Sequence, residues 1–437
     1  MKVSIVSLGC SKNLVDSELI LGGLQKAGHT ITTENNADVI IVNTCGFISD
    51  SVKESVDTIL ELAEYKKKGG CKKLVVSGCL VERYAQELKA AIPEVDAFWG
   101  TGDLFRLPAA LEEFSGDITY NSPPGMIYDP DSPRILTTPP HMAYVKVSEG
   151  CSRSCSFCII PRLRGTMKSR AVASIVEEAR MLAARGIKEL NLIAQDMTSY
   201  GRDIGTTLEK LLRGLAGVEG IKWVRLHYCY PWGFSDSLLE LIESEERLLP
   251  YIDMPLQHID DRILRDMDRK TTSSQIRKIL DQIRSKLTNP TLRTTFIVGF
   301  PGETEEEFCE LLDFVEQTEF DRVGVFKYSH EQGTKAGLMD DSITEEEKDE
   351  RYERVLETQA DISFAKNRAL NGSAHEGFID SLTENSCLAR ISAQAPDVDG
   401  YVHIESGNGR ERSLKVGELV NITITGADVY DLTGEIV

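Results

Sequence analysis

The chain has 437 residues, a net charge of −20 and an apolar content of 41%. Its length supports two or three domains with their own cores. The lack of a long apolar run, and of a signal-peptide pattern in residues 1–10, predicts a cytoplasmic protein with no membrane partner. The negative charge disfavours nucleic acid and favours basic partners, although solubility alone also explains it. In a reducing compartment, ten cysteines indicate metal binding or catalysis before disulfides.

Strand and helix signals alternate through residues 1–115. The predicted strands are 3–8, 39–42 and 74–76, and the predicted helices are 16–26, 51–65 and 82–91. Strand-length apolar runs that alternate with segments of helical periodicity are typical of a parallel sheet. We therefore predict an amino-terminal parallel α/β domain.

Three cysteines of this domain occupy equivalent places. Cys10, Cys45 and Cys79 each follow a predicted strand and precede the next helix. Because the carboxyl ends of parallel strands lie along one edge of a sheet, these thiols are expected to converge there. A lone cysteine is often a small core residue, but three in equivalent places favour a metal site. Cys71 precedes its strand, and we interpret it as a loop thiol.

The middle of the chain begins with a proline-rich stretch, 116–140, which predicts an extended linker. A second α/β series follows over 141–368. Its candidate strands are 144–147, 189–193, 223–227, 251–254, 292–298 and 323–328. Six β/α units predict a complete or partial barrel whose site lies at the carboxyl ends of the strands.

A second group of cysteines follows the first strand of this barrel. Cys151, Cys155 and Cys158 have the spacing C-x3-C-x2-C. No fourth cysteine or histidine lies nearby, as a zinc knuckle would require, and the compartment disfavours a disulfide. Three thiolates hold three corners of an iron–sulfur cube and leave one iron open for a substrate or cofactor.

The carboxyl-terminal part changes character twice. Residues 343–370 form a charged helical stretch that is most simply a solvated face. Short alternating strands then run through 369–437, which is typical of a small antiparallel β-barrel of the oligonucleotide-binding type. The predicted fold class is α/β, with an amino-terminal parallel domain, a partial (β/α) barrel and a small β-barrel.

The barrel's cysteine loop, with Phe157 directly before its last cysteine, resembles that of the radical S-adenosylmethionine (SAM) superfamily. The resemblance implies a 4Fe-4S cluster whose open iron chelates SAM and whose electron cleaves it to a 5′-deoxyadenosyl radical. The order of domains resembles the methylthiotransferase family, whose last domain is a TRAM barrel. Supporting stretches are 7–13, 43–47, 77–80, 160–165, 255–258 and 295–303.

This family resemblance implies a second 4Fe-4S cluster on Cys10, Cys45 and Cys79, with an open iron that carries the sulfur to be inserted. One SAM donates a methyl group to that sulfur. A second SAM supplies the radical that removes hydrogen from an unactivated carbon, to which the methylthio group is transferred. An electron donor and a sulfur source are required as partners.

The same resemblance implies SAM contacts at Phe157, Gln195, Gly299 and Glu303. Gln195 ends a strand where the SAM amino group is usually contacted, and Asp196 lies beside it. A glycine at 299 lets the backbone approach the adenosyl part closely. An ordinary strand-to-helix turn, with Glu303 in the first helical turn, explains Gly299 and Glu303 equally well.

Other residues at this edge of the barrel are open to two interpretations. Arg164 and Arg170 either contact SAM or the substrate, or they are exposed charges on the surface. We interpret His227 and His258 as structural, since hydrogen abstraction by a radical needs no general base. Cys229 is interpreted as a packed thiol.

The family divides by substrate into enzymes that modify a tRNA adenosine and enzymes that modify an aspartate of ribosomal protein uS12. The carboxyl-terminal barrel, 369–437, has four basic and eleven acidic residues, a net charge of −7. A barrel that binds RNA is expected to carry a basic groove, whereas this one suits a basic ribosomal protein. Stretches 194–201, 251–258 and 392–400 also resemble the uS12-modifying branch.

The sequence therefore predicts a methylthiotransferase that adds a methylthio group to the β-carbon of a specific aspartate of uS12. A tRNA adenosine methylthiotransferase is the alternative enzyme. A non-catalytic iron–sulfur sensor that binds a partner through the acidic barrel is the alternative of another class, although a sensor needs only one closed cluster.

Overall fold

The structure, a computed structural model, describes residues 1–111, 118–120, 122–383, 386–404 and 414–437. The strands of its first domain are β1 (Lys2–Ser7), β2 (Thr30–Ile31), β3 (Val39–Thr44), β4 (Lys73–Gly78), β5 (Ala97–Trp99) and β6 (Ile118–Tyr120). The helices are α1 (Ser11–Lys26), α2 (Ser49–Lys67), α3 (Cys79–Ala91) and α4 (Leu107–Ala110). The six strands pair in parallel in the order β2-β1-β3-β4-β5-β6. The predicted parallel α/β architecture is confirmed.

Apolar helix faces cover both sides of this sheet. α1 and α4 pack on one side, in a core that includes Ile20, Ile41 and Trp99. α2 and α3 cover the other side, where the loop thiol of Cys71 is buried. β3 is buried at every residue because it lies between β1 and β4 with helices on both faces.

The proline-rich stretch 116–140 is not entirely the extended linker that its composition predicts. Residues 118–120 form β6, which pairs in parallel with β5 at the sheet edge. Tyr120 stacks on Trp99 with ring centroids 3.9 Å apart, and this contact helps to hold the short strand. A strand of three residues is too short to leave a periodic signal in the sequence.

The second domain is an open sheet, as a partial barrel requires. Its strands are β7 (Met142–Lys146), β8 (Ser148–Glu149), β9 (Lys168–Ser169), β10 (Glu189–Ile193), β11 (Trp223–Leu226), β12 (Leu248–Asp253), β13 (Thr291–Val298) and β14 (Arg322–Lys327). Six of them pair in parallel in the order β14-β13-β12-β11-β10-β7, and β8 and β9 form a separate antiparallel pair. The six predicted barrel strands are thereby confirmed.

The helices of this domain are α5 (Ile160–Arg164), α6 (Val172–Ala184), α7 (Leu208–Ala216), α8 (Asp236–Ser244), α9 (Asp261–Asp266), α10 (Ser273–Lys286), α11 (Glu305–Thr318) and α12 (Glu345–Ala369). The helices α6–α12 cover one face of the sheet, whereas α5 packs against the first domain at Cys79. Most of the charged run at the start of α12 is exposed, as predicted, but two of its residues, Lys348 and Arg351, are buried. Lys348 is buried there between Asp341 and Glu345, with both oxygens 2.9 Å from its Nζ. Of the helices described, none combines the length and apolarity that a membrane crossing needs.

The third domain is a closed barrel of five strands. They are β15 (Ala374–Leu382), β16 (Cys387–Ile391), β17 (Val402–Ile404), β18 (Leu419–Ala427) and β19 (Leu432–Ile436), in the order β15-β16-β17-β19-β18. The predicted small β-barrel is confirmed. It is not wholly antiparallel, because β17 and β19 pair in parallel to close it.

This small barrel docks on the amino-terminal ends of the second domain's strands. Arg390 pairs with Glu189, the first residue of β10, at 2.7 Å, and both side chains are fully buried. The Tyr251 hydroxyl donates to Asp399 at 2.7 Å, on the sheet face opposite the helices. The stretch 392–400 is therefore used in domain docking. The acidic barrel lies at the opposite edge of the sheet from the cysteine loop.

Candidate active site

The three cysteines of the first domain lie at the carboxyl ends of adjacent strands. β1 pairs with β3 and β3 with β4, so their ends lie side by side. Cys10 is the N-cap of α1, Cys45 follows β3, and Cys79 is the first residue of α3. The loops are closely fitted, because a Cβ on Gly9 would lie 3.0 Å from the Cys45 Sγ. The structure thus brings this amino-terminal triad to one edge, where the sequence predicts it.

Helix N-termini surround this triad with positive backbone charge. The starts of α1 and α3, at Cys10 and Cys79, leave N–H groups that favour thiolates and anionic ligands. The Cys79 thiol donates to Asn13 Oδ1 at 3.9 Å. Burial raises the pKa of Cys79 to about 12, and the nearby Arg164 opposes that rise. Metal binding at Cys79 therefore requires release of its proton.

The second cysteine group, the loop triad of the barrel, is closed at its base by β8 and β9. The Cys151 N–H donates to the Gly165 carbonyl at 3.0 Å. Gly150 has φ 75°, and a Cβ there would lie 2.4 Å from the Thr166 carbonyl oxygen. Only a glycine satisfies both the left-handed conformation and this close approach. The loop is therefore held in one shape by its own backbone.

Hydrogen-bond donors and cations surround the sulfur atoms of the loop triad. The Arg153 N–H donates to Cys151 Sγ at 3.4 Å, and Arg269 Nη1 donates to Cys155 Sγ at 3.7 Å. Both guanidinium groups lie over the Tyr230 ring, at 3.9 and 4.1 Å from its centroid. Donors and positive charge near thiolates stabilise an anionic cluster.

Both triads border the contact between the first two domains. Cys79 packs with Ile159 in a small apolar cluster, and Ile159 directly follows Cys158. Phe47, two residues after Cys45, packs against the same cluster. The sheet edge of one domain and the cysteine loop of the other therefore share one boundary.

A buried network of charges crosses this boundary. Asp16 of α1 lies 2.6 Å from both Lys146 and Arg164 of the barrel. Lys146 also contacts Glu149 at 2.5 Å, and Arg164 donates to Asn13. All five residues are buried, and Asn13 and Glu149 each lie within three residues of a triad cysteine. Removing one partner of such a buried pair costs about 3–5 kcal/mol, so the network fixes the triads relative to each other.

The thiols and the cations around them are chemically suited to an iron–sulfur cluster, in which each thiolate binds a different iron. A zinc ion would instead hold all its thiolates at about 2.3 Å from one centre. In the part of the chain that the structure describes, no three His, Cys, Asp or Glu side chains form a group that holds one metal ion.

Gln195 and Asp196 lie at the carboxyl-terminal edge of the barrel strands, as predicted. Gln195 Nε2 donates to Glu149 at 3.3 Å, and its buried Oε1 has no hydrogen-bond partner among the described residues. That oxygen is suited to accept from a ligand ammonium. Asp196 is occupied, because it pairs with Arg153 at 2.6 Å and accepts from the Ser199 N–H.

The contacts of Gly299 and Glu303 are those of a strand-to-helix turn. Gly299 has φ 68°, and a Cβ there would lie 2.4 Å from the Cγ of Lys348, so this side chain of α12 fills the space beside the glycine. Glu303 is buried and accepts from the Phe300 N–H at 3.0 Å and from Arg351 at 3.3 Å. Burial raises the pKa of Glu303 to about 7. The carboxylate of Glu303 is therefore occupied by groups of the protein, and the SAM contacts predicted for Gly299 and Glu303 stay a prediction.

The edge histidines and the rim thiol have structural contacts. His227 Nε2 bonds Asn191 Oδ1 at 3.2 Å, and His258 Nδ1 accepts from the Asp260 N–H at 3.0 Å. Cys229 is 2% exposed and belongs to the core of the barrel. These contacts agree with the structural interpretation of all three.

The surface-charge interpretation is wrong for both Arg164 and Arg170, since both are buried. Arg164 belongs to the boundary network, and Arg170 pairs with Glu178 at 2.6 Å. Phe157 is half-buried against an apolar cluster that includes Phe300. Its ring therefore supports the cysteine loop by packing.

Sequence reasoning missed three residues at the boundary, Lys12, Tyr228 and Asp253. Tyr228 has φ 61°, a strained conformation for a non-glycine residue, held by its N–H bond to Asp253 at 3.0 Å. Asp253 is in turn fixed by Arg293 at 3.0 Å. The Lys12 ammonium lies 3.0 Å from the centroid of the Tyr228 ring. The available signal was the position of Lys12, two residues after Cys10.

Three known families match consecutive parts of the chain. Residues 2–100 match the uncharacterized protein family UPF0004, residues 145–315 match the Radical SAM superfamily, and residues 372–437 match the TRAM domain.

Curated proteins match the chain over its whole length. The ribosomal protein uS12 methylthiotransferase RimO of Pelobacter propionicus is 49% identical, and that of Geotalea uraniireducens is 47% identical. Each match covers 100% of this chain and 98% of the relative. The RimO protein of Bdellovibrio bacteriovorus is 43% identical over 100% of this chain and 97% of its own.

Solved structures share the fold at low identity. The radical SAM methyltransferase TsrM from Kitasatospora setae, with cobalamin and a 4Fe-4S cluster bound, has a TM-score of 0.56 at 14% identity, covering 77% of this chain and 74% of its own. OxsB, a cobalamin-dependent SAM radical enzyme, has a TM-score of 0.51 at 13% identity, covering 83% and 56%. These similarities establish the fold alone.

Proposed function

Because the chain belongs to the family of ribosomal protein uS12 methylthiotransferases, we propose that it replaces one β-hydrogen of a specific aspartate of uS12 with a methylthio group. The observation that carries this proposal is the pair of three-cysteine sites joined by one buried network, Asp16–Lys146–Arg164–Glu149. Sulfur insertion at an unactivated carbon needs a radical source and a sulfur carrier side by side.

As a member of the radical SAM superfamily, the protein uses SAM together with an iron–sulfur cluster. We propose two 4Fe-4S clusters. Cys151, Cys155 and Cys158 would hold one and leave an iron open for SAM, and Gln195 Oε1 would accept from the SAM ammonium. Cys10, Cys45 and Cys79 would hold the other. When bound, these groups supply the electron that cleaves SAM and the site from which sulfur is transferred.

The overall change exchanges one C–H bond for one C–S bond. The methyl group comes from one SAM, which leaves as S-adenosylhomocysteine. The hydrogen atom leaves in 5′-deoxyadenosine, formed with methionine from a second SAM. The sulfur comes from a sulfide donor. A low-potential one-electron donor supplies the electron that cleaves the second SAM. One electron is released again when the carbon radical joins the thiolate-level sulfur, and it would return to the iron–sulfur groups, so that the exchange is redox-neutral overall. We propose the sulfide donor and the electron donor as partners of the enzyme. We also propose that it acts in the cytoplasm, a reducing compartment that contains ribosomal proteins and preserves thiol-bound clusters.

The chain's own residues hold and shield the reacting groups. Arg153 and Arg269 place positive charge beside the loop triad. Asp16 fixes Lys146 and Arg164, so the sheet edge of the first domain stays over the cysteine loop. A rigid boundary of this kind positions reactants.

The charge of the small barrel supports a basic protein as partner. Its Arg390 is buried against Glu189 and adds no positive charge to the surface. Glu376, Glu418 and Glu435 are exposed. Such a surface attracts a basic ribosomal protein and repels RNA phosphates. Since this barrel lies at the far edge of the sheet, it would bind a part of uS12 distant from the modified aspartate.

The test is anaerobic reconstitution with iron, sulfide, a reductant and SAM, followed by separate incubation with uS12 and with tRNA. We expect uS12 to gain the mass of one methylthio group, at an aspartate located by fragmentation, together with 5′-deoxyadenosine. A gain on tRNA alone would identify the alternative enzyme. An absence of 5′-deoxyadenosine with either substrate would favour the sensor.

A further inference from the structure

One buried cation at the domain boundary lacks an anionic partner. Lys12, in the first turn of α1, is 6% exposed, and its ammonium lies 3.0 Å from the centroid of the Tyr228 ring. Within the described ranges, the structure gives this ammonium no carboxylate and no carbonyl partner. The stem of this side chain is packed, but its ammonium still reaches the surface. The face of one ring offsets only part of the solvation that the ammonium loses there.

Neighbouring cations at the same boundary differ from Lys12 in this respect. Lys146 contacts two carboxylates, Arg153 pairs with Asp196, and Arg164 pairs with Asp16. Arg269, which is also buried, has no carboxylate partner either, but it donates to the Pro255 carbonyl and to Cys155 Sγ. Lys12 therefore differs from these four cations in having neither a carboxylate nor a carbonyl partner among the described residues. A charge that is available in this way is suited to a ligand of opposite sign.

The position of Lys12 is set from both domains. The residue stands two positions after Cys10, while Tyr228 follows β11 at the carboxyl-terminal edge of the barrel. Tyr228 is held in its strained conformation by Asp253, which is itself fixed by Arg293. The ring therefore acts as a rigid platform that keeps the ammonium at the edge where the loop triad also lies.

We propose that Lys12 binds the side-chain carboxylate of the aspartate that this enzyme modifies. The inference rests on the proposed function and names the group that selects its substrate. In aspartate the β-carbon is bonded directly to the carboxylate carbon. An ammonium that holds the carboxylate between the two triads therefore fixes the reacting carbon within one bond. It also distinguishes aspartate from asparagine and from a nucleobase.

The test is a double-mutant cycle between Lys12 of the enzyme and the target aspartate of uS12. The affinity of the cluster-loaded enzyme is measured for uS12 and for uS12 with the target aspartate replaced by asparagine. Wild type should bind the aspartate form about tenfold to a hundredfold more tightly, the size of one charge-assisted hydrogen bond. Lys12→Met should bind both forms equally, whereas Lys12→Arg should keep the preference.

Lys26→Met is the matched control, because it removes one positive charge from the exposed last turn of the same helix. It should behave as wild type. Circular dichroism and iron content are measured for each variant, so that misfolding or loss of a cluster is recognised. A Lys12→Met enzyme with wild-type fold and iron content that still prefers aspartate would overturn the inference. Loss of iron from the amino-terminal triad would also overturn it, since Lys12 would then serve the cluster.

Failure of the proposed function is visible separately in this experiment. If the wild-type enzyme adds no methylthio group to uS12 but modifies tRNA, both the function and the role of Lys12 are wrong. If it modifies uS12 and the cycle is additive, only the role of Lys12 is wrong.

Discussion

The amino-terminal triad and the loop triad meet at one boundary but are built by different routes. The first draws Cys10, Cys45 and Cys79 from the ends of three strands, so it exists only when the sheet is folded. The second lies within eight residues of one loop, closed by its own backbone at Gly150. The amino-terminal triad is thus formed by the fold of a whole sheet, whereas the loop triad is formed by local sequence. We therefore expect the two triads to respond differently to substitutions.

The largest effect is expected from removing a cysteine of each triad. Cys151→Ala should abolish both 5′-deoxyadenosine formation and methylthiolation, because SAM loses its site. Cys10→Ala should keep 5′-deoxyadenosine formation and lose sulfur insertion. Both products are measured by mass spectrometry on anaerobically loaded enzyme. If Cys10→Ala also stopped SAM cleavage, the proposed division of labour between the triads would be wrong.

The next effect tests the connection between the triads. Arg164→Met leaves Asp16 with one cation fewer in a buried site, so the free energy of unfolding should fall by about 3–5 kcal/mol. The ratio of 5′-deoxyadenosine to methylthiolated product should rise as the triads lose their alignment. Chemical denaturation and product analysis measure the two quantities. Arg180→Met, at an exposed ion pair on α6, should change neither.

A smaller loss of stability and of bound iron should be confined to the amino-terminal triad. Gly78 has φ 97°, and a Cβ there would lie 2.5 Å from Asn43 Oδ1. Gly78→Ala should therefore destabilise the domain by about 2–4 kcal/mol and lower the iron bound at the amino-terminal triad. Gly28→Ala is the control, since Gly28 has φ 88° but open space around it. Equal iron loss in both variants would show that backbone strain alone, not the crowded strand end, was responsible.

The smallest effect concerns a titrating carboxyl near the loop triad. Burial raises the pKa of Glu303 from 4.5 to about 7, so the folded state favours the protonated form. Its contribution to stability is complete below pH 4.5 and is lost as the pH rises through 7. Glu303→Gln should therefore match wild type near pH 4.5 and be more stable by about 1–3 kcal/mol at pH 8. Thermal unfolding across this range measures the difference, and Glu306→Gln, exposed in the helix that follows the turn, should show no such trend.

Features that depend on the order of residues along the chain could be predicted from the sequence. The strand-end positions of three cysteines and the spacing of three others located both triads, because parallel sheets and short loops place such residues predictably. The order of the three domains could also be predicted from the sequence. Strand β6 was missed because three residues carry no periodicity.

The contacts of residues whose partners lie far away in the sequence could not be predicted. Lys348 stands in a run of charges, and only the fold reveals that Asp341 and Glu345 bury it. The same holds for Arg164, whose partners Asp16 and Asn13 lie in another domain. The roles of Gly299 and Glu303 were ambiguous for a related reason. A tight turn and a cofactor cradle use the same residue types, and the fold adds the position of Lys348, which fills the space beside Gly299.

The docking of the small barrel has a consequence for how such proteins diversify. Its attachment depends on matched side chains from both partners, such as Arg390 with Glu189 and Asp399 with Tyr251. A barrel grafted from a relative with another substrate would have to bring the same complementary groups, or it would leave buried charges unmatched beneath the sheet. If the small barrel contacts the partner as proposed, a new substrate is expected to be accommodated by changes to the exposed surface of the existing barrel. The small barrel is then inherited together with the strand ends on which it docks.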